Sequence, residues 1–96
     1  MVVDLVIYKV RKGKIREFEA HAEERLHLLR KARGFITHGL MRNADDPGEY
    51  RSEERWVSRE YRDRFLGRHQ AQCESLSLKA TEFLDAPPVH ALLETV

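Results

Sequence analysis

Between residues 52 and 73 the chain gathers most of the side chains that could do chemistry: Ser52, Glu54, Trp56, Tyr61, Phe65, His69 and Cys73. Ser52, Glu54 and Trp56 alternate, so in an extended segment they share one face. A carboxylate on an interior face must be paired, hydrogen-bonded or protonated. Two roles are therefore open to Glu54. It can take a proton from a phenolic substrate as a general base, or close a salt bridge to a helix residue such as Arg59 or His69. His69 has a similar choice: base or holder of a substrate oxygen, or capping and packing residue. Trp56 is either a core anchor or one wall of a cavity for a flat ligand, beside Tyr61 and Phe65. His38, on a strand face with Ile36 and Leu40, and Ser52 are further candidates for the lining.

Cys73 follows His69 by four residues, so one helix face can carry both. That spacing permits a nucleophilic Cys–His pair. A cysteine on a stripe with Leu76 and Ala80 also reads as an inert small hydrophobe. Zinc needs further ligands, and no ligand-spacing motif supplies them, so no metal is expected. There is no glycine-rich phosphate loop and no dinucleotide fingerprint. No flavin, nicotinamide or other cofactor is expected. Arg59, Arg62, Arg64 and Arg68 alternate with Glu60 and Asp63, the pattern of a solvated helix face. His21 and His27 fall off the apolar stripe of their helix and are expected in solvent. His90 has no evident partner.

The elements that must position these groups follow from periodicity. Residues 2–10 are rich in Val, Ile and Tyr and read as a strand, apolar on both faces. Gly13 makes a turn. Ile15, Phe18, Ala22, Leu26 and Leu29 then step by three or four, predicting a helix over 14–32 with Gly34 just beyond its end. Residues 35–43 and 49–57 read as a hairpin, with Pro47-Gly48 at the centre of a type II turn. Ser58 caps the next helix, Gly67 breaks or bends it, and a second piece runs from His69 to about Leu84. Residues 89–96 form a last strand. The order β-α-β-β-α-β predicts a ferredoxin-like α+β sandwich, one domain over 1–96, with helices on one face of a sheet. The open face then needs cover, and a second copy of the chain is the simplest partner, giving a homodimer.

Totals narrow the function classes. The chain has 96 residues, 42% hydrophobic and 34% charged, with a formal net charge of +1. Near-balance supplies no overall field for nucleic acid or an anionic membrane. No apolar run approaches spanning length, and the alternation and early Asp4 of the first strand do not fit a signal peptide. One cysteine cannot form an internal disulfide, so the reducing cytoplasm is the expected compartment.

With the elements placed, three landmarks carry a resemblance: "KVRKGK", "ARGFITHGLMRNADDPGEY" and "ERWVSREYRDRFLGRHQAQ". Together they resemble the antibiotic biosynthesis monooxygenase family, a branch of the dimeric α+β barrel superfamily, over almost the whole chain. The resemblance implies a sheet-to-sheet dimer and a pocket between sheet and helices. It spans cofactor-independent oxygenases of polyketide or quinol aromatics, haem-degrading enzymes and an isomerase of a signalling sugar phosphate. The haem-degrading branch depends on an Asn, a Trp and a His at positions that hold Leu5, Phe65 and Ser75 here, so haem cleavage is not expected. The strand Trp of the polyketide oxygenases is matched by Trp56, while their pocket Asn falls on Ser52. The implied activity is cofactor-independent oxygenation of a small aromatic or quinol-like molecule, with Glu54 or His69 as base. His38, Ser52, Trp56, Tyr61, Phe65 and Cys73 would line the site. A non-catalytic ligand binder and an isomerase are the alternatives.

Overall fold

The alternating strands and striped helices assemble as β1 (Val2–Lys9), α1 (Ile15–Leu29), β2 (Phe35–Asn43), β3 (Asp46–Trp56), α2 (Arg59–Arg68), α3 (Gln70–Ala80) and β4 (Val89–Glu94). A single 3-10 turn at Thr81–Phe83 ends α3. These elements belong to a computed structural model that describes residues 1–96. The four strands form one antiparallel sheet in the order β2-β3-β1-β4. The fold is the expected ferredoxin-like α+β sandwich, with its second helix divided into α2 and α3. No helix is long and apolar enough to cross a membrane.

Four local expectations need correction. The hairpin turns at Ala44-Asp45, not at Pro47-Gly48. Asn43 Oδ1 accepts the Asp45 amide at 2.9 Å, a side-chain turn that takes precedence over the Pro-Gly signal. Pro47 and Gly48 instead open β3, where the Gly48 carbonyl accepts the Val10 amide at 2.7 Å. Helix α1 stops at Leu29, short of Gly34. Gly34 (φ 84°) lies in the following loop, where it packs directly beneath the Tyr61 ring. Gly67 continues α2, and the break falls at His69 (φ −116°, ψ 28°), which ends α2 and starts α3. In β2 a register shift between Phe35 and Thr37 inserts Ile36 as a bulge, so Phe35, not Ile36, joins His38 and Leu40 on the helix side. The Ser58 cap is as expected, its Oγ accepting the Tyr61 amide at 3.5 Å.

Apolar residues occupy the two ends of the sandwich. One cluster joins Val10, Phe18, Tyr50, Phe83 and Leu84. The other joins Val2, Leu29, Trp56, Phe65 and Cys73. Every element facing the interior turns polar between them. On β1 the order is Val2, Asp4, Val6, Tyr8, Val10, and on β3 it is Tyr50, Ser52, Glu54, Trp56. On α1 it is Phe18, His21, Arg25, Leu29. A core of two apolar ends with a polar waist leaves room at the waist for charged groups and a cavity.

The opposite face of the sheet has no helix over it. Register brings Val3, Leu5 and Ile7 of β1 beside Leu93, Ala91 and Val89 of β4. Met41 and Leu93 there are each nearly half exposed, and Val89 nearly two-thirds.

Candidate active site

The waist is built by strand register. Glu54 on β3 lies opposite Asp4 on β1 and His38 on β2, so two carboxylates sit side by side on the inner face. Like charges directly opposed destabilise a sheet unless each finds a cation. The helices supply two arginines. Arg25 Nε and Nη2 donate to the two Glu54 oxygens at 2.6 and 3.1 Å. Arg62 Nε donates to both Asp4 oxygens at 3.1 and 2.9 Å, and its Nη1 to Asp63 at 2.9 Å. The Arg25–Glu54 fork is the strong form of a charged hydrogen bond, whereas Arg62 shares one N–H between the two Asp4 oxygens. Glu54 is 4% exposed. Burial works against the Arg25 charge, but the Glu54 hydrogen bonds and charge outweigh it and hold Arg25 above its usual value.

A cavity of about 260 Å³ opens at this waist, bordered by Asp4, Tyr8, Arg25, Glu54, Cys73 and His90 among others. A smaller space of about 30 Å³ continues past the ion pair to His38, Leu40 and Ser52. Tyr8, His21, Arg25 and Glu54 border both, so the two are one cleft constricted at the Arg25–Glu54 pair. Its size is near the lower limit of small-molecule sites. Burial pushes the Tyr8 phenol up, the Glu54 charge adds to this, and Arg25 opposes it. Burial also holds His38 below its ordinary value against the opposing pull of Glu54. His38 Nε2 is 3.1 Å from Ser52 Oγ.

The residues proposed from sequence do not form one site. Glu54, Ser52, His38 and Cys73 border the cleft. Tyr61, Phe65 and His69 border a separate groove of about 200 Å³ with Lys31, Arg33, Arg64 and Arg68. His69 pairs its Nδ1 with Gln72 Oε1 at 2.8 Å and does not reach the cleft carboxylates. Neither Arg59 nor His69 pairs with Glu54, since Arg59 faces Asp63 at 3.8 Å. Trp56, 1% exposed, borders neither cavity. It packs edge-on to Phe35 and tilted against Phe65, centroids 5.5 and 5.3 Å away, and its Nε1–H has no acceptor. The core-anchor role describes it.

Arg25, Tyr8, Asp4, Arg62, His21 and His90 are the cleft residues that the apolar periodicity passed over. His21, expected in solvent, is 9% exposed, and its Nε2–H donates to the Leu76 carbonyl at 2.7 Å, tying α1 to α3. The signal that could have found the arginines is the pair of interior acids. Once Asp4 and Glu54 share a sheet face, cations are required from the helices above. Arg25 is seven residues after Phe18 and four before Leu29, and Arg62 is three before Phe65.

Known structures resemble this one throughout. A conserved protein from Methanosarcina mazei Go1 superposes with a TM-score of 0.86 at 16% identity, covering 100% of this chain and 94% of that one. SnoaB, a cofactor-independent oxygenase from Streptomyces nogalater, gives 0.84 at 20% identity over 99% of this chain and 92% of that one. A Mycobacterium tuberculosis protein gives 0.84 at 21% over 99% and 94%. At these identities the likeness shows the fold alone. Among curated proteins no sequence matches significantly. The antibiotic biosynthesis monooxygenase family model matches residues 1–72, the stretch that holds β1 through α2 and both acid–arginine pairs of the waist. The chain belongs to the antibiotic biosynthesis monooxygenase family.

Proposed function

We propose that this protein is a cofactor-independent monooxygenase that oxidises a small aromatic or quinol-like molecule in the cleft between sheet and helices. Family membership supports the reaction class, and the fold it shares with the SnoaB oxygenase supports the same reading. The observation that carries it is the Arg25–Glu54 pair at the constriction of the cleft. A phenol entering beside this pair can pass its proton to Glu54, while Arg25 turns a donor towards the phenolate oxygen. One anion replaces another beside the same guanidinium, so no unpaired charge is created. The electron-rich phenolate then reduces O₂. For a ring CH₂ beside the phenol, one oxygen atom becomes the new carbonyl and the other leaves as water with the two hydrogens. The chain's own contribution is desolvation, orientation and charge placement.

The test is O₂ consumption with an anthrone or hydroquinone and no added cofactor. Glu54→Gln is expected to lower the rate about 100-fold, the scale of a lost general base. His69→Ala, in the other groove, is expected to keep it. A full rate in Glu54→Gln overturns the base assignment. Saturable aromatic binding without O₂ uptake above background would make the protein a binder, and cofactor-free conversion of a sugar-like substrate without O₂ would make it an isomerase.

The apolar β1–β4 half of the open face supports sheet-to-sheet pairing of two copies as part of the same proposal. Light scattering that gives the mass of one chain would overturn it.

A further inference from the structure

Helix α2 carries four arginines, and its ion pairs divide them. Arg59 faces Asp63 and Arg62 faces Asp4 and Asp63. Arg64 and Arg68 make no ion pair and no side-chain hydrogen bond, though they stand one turn apart on the same face. Like charges at this spacing repel. Tyr61 and Phe65 share their stripe. Phe65 is buried, and the Arg64 guanidinium lies 5.5 Å from the centroid of the Tyr61 ring. Across the groove, the loop after α1 contributes Lys31 and Arg33, also without ion pairs. No carboxylate borders the groove. Four cations therefore converge, without a counter-charge, on a concavity of about 200 Å³ with an aromatic floor.

We propose that this groove binds a small organic phosphate, with the phosphoryl group between Arg64, Arg68 and the Lys31–Arg33 loop and the flat organic part against Tyr61 and Phe65. Arginine forks match phosphate oxygens bidentately, and a bound dianion turns the Arg64–Arg68 repulsion into attraction. The ring floor adds apolar contact for an aryl or heterocyclic group. A nucleic-acid backbone would call for a basic stripe that tracks many phosphates. Here the cations are gathered at one hollow on a chain of formal net charge +1. The groove and the cleft share no lining residue, so this site stands or falls apart from the oxygenase reading.

The experiment is calorimetric titration of the full chain at about 50 mM salt with phenyl phosphate and with inorganic phosphate. The expected result is one saturable site per chain, tighter for phenyl phosphate, weakening as salt rises. Arg64→Gln/Arg68→Gln is expected to lose at least about tenfold in affinity. Lys12→Gln/Arg16→Gln, the same charge change elsewhere, is expected to keep it. Three outcomes overturn the proposal: no saturation by phenyl phosphate at millimolar concentration, equal losses in both double variants, or binding of duplex DNA or anionic vesicles with none of phenyl phosphate. Thermal melts confirm that each variant is folded before titration.

Discussion

The cleft and the groove are both lined with arginine, and the two use it in opposite ways. In the cleft every guanidinium is closed by a carboxylate: Arg25 by Glu54, Arg62 by Asp4. In the groove Arg33, Arg64 and Arg68 have none. The difference originates in the sheet. β1 and β3 put Asp4 and Glu54 opposite each other on the inner face, and those acids select the helix arginines within reach. The strands flanking Trp56 place Phe35 and Val2 beside it and no acid, and the arginines at that end, Arg64 and Arg68, stay free. A paired arginine holds the architecture and balances charge that develops beside it. An unpaired one is available to an incoming anion.

The sharpest way to break this contrast is to remove one arginine from each region. Arg25→Met leaves Glu54 buried without its cation. It is expected to cost about 3 kcal/mol, the low end for a broken buried pair because the arginine retains some exposure. Combining it with Glu54→Gln should return part of that loss. Arg68→Met is expected to change stability by no more than about 0.5 kcal/mol, as for an exposed surface site. Urea midpoints measure all of these. Equal costs for Arg25→Met and Arg68→Met would mean that the two regions do not differ in kind.

The next largest effect falls on the groove alone. Gly34 combines a positive φ with a position where a Cβ would collide with the Tyr61 ring. Gly34→Ala is expected to cost about 2 kcal/mol through backbone strain and overpacking, and to displace Tyr61 from the groove floor. Phenyl phosphate affinity should fall with it, while oxidation in the cleft keeps its rate once the protein is folded. Parallel losses at both sites would show that the two are coupled despite having no lining residue in common.

Much of this architecture was legible in the chain, because the fold depends on periods. The strand alternation, the stripe of α1 and the cap at Ser58 each have one physical reading. Turn chemistry was less legible. Asn43 and Pro47-Gly48 both signal a turn, and only the assembled sheet decides between them. The helix break after Gly67 depends on how α3 must lie against α1, which no local residue states. At the site, Glu54 was legible as an anomaly and its partner was not. Arg25 sits on the helix face that an apolar count skips, and its role exists only because β1 and β3 pair in one register. His69 and Phe65 looked close to Glu54 along the chain, but α2 carries them past the Trp56 layer into the other groove.

The smallest expected effect concerns His38, which shares its sheet row with Glu54 and Asp4. Burial holds it below its ordinary value in the folded chain, so the unfolded chain binds the extra proton first. Stability is therefore expected to be level above about pH 6.5, the ordinary histidine value, and to fall as pH drops below it towards the depressed folded value. His38→Asn should remove that part of the slope while retaining a polar group near Ser52. The check is a series of urea midpoints at closely spaced pH for both proteins, read as a difference so that the carboxylates cancel. If the two curves stay parallel through this range, the inner end of the cleft is wet enough to hydrate an imidazolium. The charge balance of the waist would then rest on the two arginine pairs and not on exclusion of water.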